Sequence, residues 1–159
     1  MRIYRISIFL CGVILFITGI LKFLDVTKSD PYFEAGDILL PFLTNKQLML
    51  IAGSVEIGVA IYLWMADSLQ RRSVALLWFV ITVAAYKLGH GYMHDALPCS
   101  CLGILGRLLK FSPAGMNRLT WLILFVLAAP SVTCLVHLGV RGNDASLSIE
   151  ARTQAPPSL

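Results

Sequence analysis

Ile6-Ser-Ile-Phe-Leu-Cys-Gly-Val-Ile-Leu-Phe-Ile-Thr-Gly-Ile-Leu-Lys-Phe-Leu24 is an apolar run interrupted by one charged side chain, Lys22. A hydrocarbon core takes about 20 helical residues to cross, and this run has the length and the composition to do so. Three further runs of the same kind follow at 48–66, 73–93 and 119–140. Over the whole chain 57% of residues are hydrophobic and 14% charged, with a mean hydropathy of +0.77. That balance excludes an ordinary water-soluble domain. Inside lipid every backbone polar group must be satisfied within the protein, so only helices or closed barrels span. Continuous rather than alternating apolar runs exclude the barrel. The expectation is an all-α, integral membrane four-helix bundle over 1–140.

Arg2 and Arg5 ahead of the first run invite a signal-peptide reading, but no small-x-small cleavage site follows it. Phe9 and Leu10 stand before Cys11 where a lipoprotein signal needs small residues. Raw counts of Lys and Arg on the two sides do not orient the chain. The short connection dominated by Arg71-Arg72, set against a first connection diluted by Asp25, Asp30, Glu34 and Asp37, places both termini inside. The connections at 25–47 and 94–118 then lie outside, where function is expected to concentrate. Within the second, 102–111 reads as a short interfacial amphipathic helix before the last span. Ser112-Pro113 resembles an N-cap followed by a first-turn proline. Pro130 predicts a kink in the fourth span, and 141–159 reads as a polar, disordered tail.

Charges within spans must meet a partner, a cavity or water. Glu56, Lys87 and Lys22 are the three, and similar depths make a buried Glu56–Lys87 pair geometrically feasible, while Lys22 can snorkel outward. The plain reading is a lock between helices. The sharper one makes Glu56 a proton or quinone-site group, with Lys87 and Lys22 completing the candidate cofactor-binding set. Ser54 and Gly58 form a small-xxx-small pair, the signature of close helix packing.

Beyond the third span comes His90-Gly-Tyr-Met-His94-Asp-Ala-Leu-Pro98-Cys99-Ser100-Cys101-Leu102-Gly103. Lys87, His90, Gly91 and His94 fall on one helix face. His90 and His94 at i, i+4, with Cys99 and Cys101, make a two-nitrogen, two-sulfur set suited to zinc or copper. The one-residue spacer between the cysteines departs from the usual two. As redox chemistry, a Cys99–Cys101 disulfide closes a very small, strained ring, and strained exposed disulfides exchange readily. His94, Arg107 and Lys110 nearby favour the thiolate. The redox reading leads and the metal reading follows; Cys11 and Cys134, inside spans, read as packing residues.

The runs Thr18-Gly-Ile-Leu-Lys22-Phe-Leu-Asp25, Val55-Glu56 and Pro98-Cys99-Ser-Cys101-Leu102-Gly103 resemble the MauE-type, methylamine-utilisation branch of the DoxX-like four-helix membrane proteins. The resemblance covers about residues 5 to 140, with Leu102 where the family most often has phenylalanine. It implies a role in maturing an exported, disulfide-rich protein, such as the small subunit of methylamine dehydrogenase, alongside a thioredoxin-like periplasmic or membrane-anchored partner. It extends to Lys22, Glu56, Cys99 and Cys101, with Cys99 and Cys101 as the catalytic pair. It does not extend to His90 or His94. The implied setting is a bacterial inner membrane with the Cys-x-Cys loop on the extracytoplasmic side. With a single outer cysteine pair, a partner protein or a quinone must exchange electrons with it. A thiol-disulfide oxidoreductase, a zinc- or copper-binding module and a non-catalytic assembly subunit all remain open at this level.

Overall fold

The computed structural model describes residues 2–27, 31–37, 39–92 and 113–153. Among them every regular element is a helix: α1 (Arg2–Val26), the single turn α2 (Pro31–Glu34), α3 (Asn45–Met65), α4 (Leu69–Tyr92) and α5 (Pro113–Thr153). Four helices are long and apolar enough to cross a membrane, over Arg2–Val26, Asn45–Met65, Leu69–Tyr92 and Asn117–Gly139. The protein is therefore an all-α four-helix bundle of multi-pass membrane type. Its helices outrun several of the limits read from the apolar runs, because polar end residues continue a helix without adding to its hydropathy. The interfacial helix expected over 102–111 lies outside the described residues, as does Ser112. Pro113 is the first residue of α5, the position where its missing N–H costs nothing.

Local chemistry sets the helix ends. Thr44 caps α3 in a full capping box, its Oγ1 accepting from Gln47 N–H while the Gln47 side chain accepts from Thr44 N–H. At the other end of α3, Arg72 reaches back from α4, its Nε donating to the Ala66 carbonyl at 2.6 Å. The cation thus sits on the negative end of the α3 dipole and holds the tight turn between α3 and α4. Helix α5 remains helical through Pro130, where Thr133 Oγ1 donates to the Ala129 carbonyl at 2.8 Å. It also runs on to Thr153, where the sequence reading ends the span at Val140 and expects a disordered tail. No proline interrupts 141–153, and Ala145, Leu147, Glu150 and Ala151 are good helix formers. Residues 154–159 lie outside the described part.

Helix α1 packs chiefly on α3, and α4 chiefly on α5. The buried positions of α3 are Met49, Gly53, Glu56, Ala60 and Leu63, alternating steps of four and three that keep one seam facing α1. On α1 the matching seam includes Ile8, Leu15, Gly19 and Lys22, while Ile3, Leu10, Ile17 and Leu24 point away. That outward stripe is fully apolar, as lipid contact requires, and hydrophobicity alone does not tell inside from outside. Small residues make the difference. A Cβ on Gly19 would lie 2.9 Å from the Gly53 carbonyl oxygen, and one on Gly53 would lie 3.2 Å from the Gly19 oxygen. The two backbones therefore touch.

The close contact expected from Ser54 and Gly58 is a correction. Both are exposed, and no described atom comes within 4 Å of a Cβ built on Gly58. The face of α3 that meets α1 carries Gly53 instead, with Met49 and Ile57 four residues to either side. Cys11 and Cys134 are buried free thiols within the packed interior. A second, smaller cluster of Val26, Phe33 and Met49 seats α2 against the ends of α1 and α3.

Candidate functional site

The contact between Gly19 and Gly53 creates the polar site. Helical side chains lean toward their own N-terminus, so Lys22 of α1 and Glu56 of the oppositely running α3 lean toward each other. Each charged residue uses the space beside the other helix's glycine. Glu56 Cβ lies 3.4 Å from the position a Gly19 Cβ would take, and Lys22 Cβ stands in the same relation to Gly53. Lys22 Nζ donates to Glu56 Oε1, and the pair is almost wholly buried. Glu56 thus meets Lys22, not the Lys87 that its depth suggested. Lys22 does not snorkel; it is 5% exposed.

Lys87 is buried separately, its Nζ 5.8 Å from the centre of the Trp121 ring on α5. A ring face attracts an ammonium, more strongly where both are shielded from water. The three candidate cofactor residues therefore divide into a pair and a singleton. Beside the pair is a cavity of about 50 Å³ lined by Thr18, Lys22 and Glu56, by Phe79 and Val83 of α4, and by Thr120, Leu124 and neighbours on α5. An apolar cavity of about 150 Å³ takes a benzene-sized ring, and this one is about a third of that size.

A second polar cluster lies at the end of the bundle from which residues 93–112 depart. Asp37 is 3% exposed, yet every direction around its carboxylate is used. Oδ1 accepts the backbone N–H groups of Leu39 and Leu40, both at 2.9 Å. Oδ2 accepts the Tyr86 hydroxyl at 2.6 Å and lies 3.0 Å from His90 Nε2. His90 Nε2 is also 2.8 Å from the Tyr86 oxygen. With the Tyr86 proton committed to Asp37, a proton on Nε2 serves both oxygens and leaves Nδ1 as the second ring nitrogen. Backbone bonds from Asp37 N–H to the Leu43 carbonyl and from Asn45 N–H to the Ala35 carbonyl close the loop around the carboxylate. Leu39 then rests on Gly89 of α4, with Cδ1 3.0 Å from where a Cβ would be.

Burial alone would raise the Asp37 carboxyl, but the bonds from Tyr86, Leu40 and His90 outweigh it and hold it below the ordinary 3.8. A depressed folded-state value means that the linked stability is present above the unfolded value and is lost as pH falls through the folded one. Acidification below the ordinary carboxylate range is therefore expected to release the 35–45 segment from α4, read as protease cleavage within it. Asp37→Ala should loosen the segment at neutral pH by about 1.5–3 kcal/mol, the worth of hydrogen bonds to a charged acceptor. Cleavage that is equally slow in Asp37→Ala would rule out the latch.

Of the sequence-derived site residues, Cys99, Cys101 and His94 lie outside the described residues. His90 is engaged with Asp37 and Tyr86, and no group of three potential metal-holding side chains occurs among the described residues. Asp37, Tyr86 and Trp121 were not among the site residues drawn from the sequence, Asp37 counting there only as a charge in the first connection. Tyr86 and His90 at i, i+4 carried a faint signal; Asp37, a whole span earlier, carried none.

Fold and site together define the class: a four-helix, multi-pass membrane protein with an ion pair buried between two closely packed helices and a hydrogen-bonded latch at one end. No protein-family model, curated protein or solved structure matches the chain.

Proposed function

We propose that the protein is a MauE-like membrane protein that assists disulfide formation in an exported client through Cys99 and Cys101. The observation that supports it most is the meeting of Lys22 and Glu56. These residues belong to two separate stretches that resemble the family, and they converge at one place in the bundle. The latch of Asp37, Tyr86 and His90 holds the first long connection to the α4 end that leads toward the cysteines.

In the proposed step a client thiolate attacks the Cys99–Cys101 disulfide. A mixed disulfide forms and one thiolate of the pair leaves. The second client thiolate then attacks that mixed disulfide, so the client departs oxidised and Cys99 and Cys101 remain as a dithiol. A disulfide of a thioredoxin-like partner restores the pair by the same exchange in reverse. The setting is a bacterial inner membrane, with the cysteines on the extracytoplasmic side and a client such as the small subunit of methylamine dehydrogenase.

The test is Cys101→Ser in native membranes, acid-quenched. With Cys101 gone the pair cannot close, so the mixed disulfide formed when the Cys99 thiolate attacks the partner's disulfide is expected to accumulate and to vanish on reduction. Folded Cys101→Ser protein with no such adduct would overturn the reading. A second reading, a zinc or copper module using His90, His94, Cys99 and Cys101, draws on the carboxylate that orients His90, an arrangement common behind metal-bound imidazoles. Metal retained by the wild type and lost in His90→Ala would favour it.

A further inference from the structure

The cavity beside Glu56 asks for a ligand of its own. Glu56 Oε1 is taken by Lys22, but Oε2 is buried and has no hydrogen-bond partner among the described residues. The Glu56 side chain is 9% exposed and lines the cavity. A carboxylate oxygen stripped of water and left unpaired is costly, and native structures rarely tolerate one. The cavity, at about 50 Å³, is too small for an aromatic ring but ample for water, which needs roughly 10–15 Å³ of such volume and several polar partners. Partners are present. The Thr18 hydroxyl donates to the Leu15 carbonyl at 3.0 Å, which leaves its oxygen able to accept from a water that donates to Glu56.

We propose that this cavity is a hydrated proton-binding site in which internal water is held against Glu56 Oε2 and Glu56 takes up and releases one proton. The balance is simple. An O–H bond of a hydronium breaks, an O–H bond forms at Oε2, and water and a neutral carboxyl remain; release is the reverse.

The charged surroundings allow it. On α1, Lys22 pairs with Glu56, and Asp25 lies at i+3 from Lys22 on the same helix, a spacing at which a carboxylate can support the ammonium when Glu56 is neutral. On α3 no other titratable group lines the cavity. On α4 the lining residues Phe79 and Val83 are apolar, and Lys87, one turn beyond Val83, is turned to Trp121. On α5 the lining residues are Thr120, Ile123, Leu124 and Leu127, none of which titrates. The site depends on no cysteine and stands apart from the thiol-exchange reading.

The experiment uses the full chain carrying Cys99→Ser and Cys101→Ser in lipid nanodiscs, with infrared difference spectra recorded as pH is stepped in H2O and in D2O. The expected result is a carboxylic C=O band that grows on acidification, shifts in D2O and is lost in Glu56→Gln. Leu124→Phe fills the cavity while sparing the ion pair, and it should slow or abolish the D2O response of that band. An acid-induced spectrum unchanged by Glu56→Gln would overturn the proposal. So would a Glu56 band that ignores D2O, or one that exchanges at the wild-type rate in Leu124→Phe.

Discussion

Lys22→Met is expected to destabilise the bundle by about 3–5 kcal/mol, because it leaves the Glu56 carboxylate buried with its counter-charge removed. The size of the effect comes from burial. On a surface the same pair would be worth well under about 1 kcal/mol, but Lys22 and Glu56 are 5% and 7% exposed. The companion variant separates attraction from rescue. Lys22→Met combined with Glu56→Leu removes both charges and should recover most of the loss, since replacing a whole buried pair by apolar groups is often neutral or better. Reversible unfolding in detergent micelles, followed by far-ultraviolet circular dichroism, reads both. A Lys22→Met protein as stable as wild type would mean that the pair does not hold α1 to α3.

The second large effect is expected from a single methyl group. Gly19→Ala places a Cβ 2.8 Å from Ile57 Cγ1 and 2.9 Å from the Gly53 carbonyl oxygen. Ile57 can turn, but a backbone oxygen on a rigid helix cannot, so α1 and α3 must separate. Overpacking of this kind costs about 1–3 kcal/mol, and separation would also stretch the Lys22–Glu56 bond. Gly58→Ala is the control. Its Cβ meets nothing described within 4 Å, and the gain in helix propensity, about 0.5–1 kcal/mol, should make it neutral or mildly stabilising. The two variants carry the same chemical change on facing helices of the same bundle. Equal stabilities measured in the same micelle assay would contradict the close approach at Gly19.

Much of the architecture was legible because lipid simplifies it. A run such as 6–24 has one stable solution in hydrocarbon, so composition and length suffice to name four spans and an all-α bundle. The first-turn proline at Pro113 is equally local, and it stands at a helix start. Candidate charges were legible for a related reason. An ionisable group in a span is expensive enough to mark itself, so Lys22, Glu56 and Lys87 could be singled out before any partner was visible.

Which charge meets which was not legible. Depth along a helix is readable from sequence, but rotation about its axis is not when both faces are apolar, as the outward Ile3, Leu10, Ile17 and Leu24 illustrate. The choice of Lys22 over Lys87 follows from the contact of Gly19 with Gly53 and from Lys87 turning to Trp121. Ser54 and Gly58 misled for the same reason: small residues on a lipid-facing surface look like small residues in a seam.

By itself, then, the sequence determined the class of protein, its spans, its costly charges and a cysteine pair next to two histidines, because each of these is a property of composition or of neighbours along the chain. Tertiary structure alone decided the helix faces, the Lys22–Glu56 pairing, the cavity beside it and the joining of Asp37 to Tyr86 and His90. The physical reason is that a hydrogen bond or ion pair between distant residues depends on how helices rotate and approach, and in this bundle glycines set that approach.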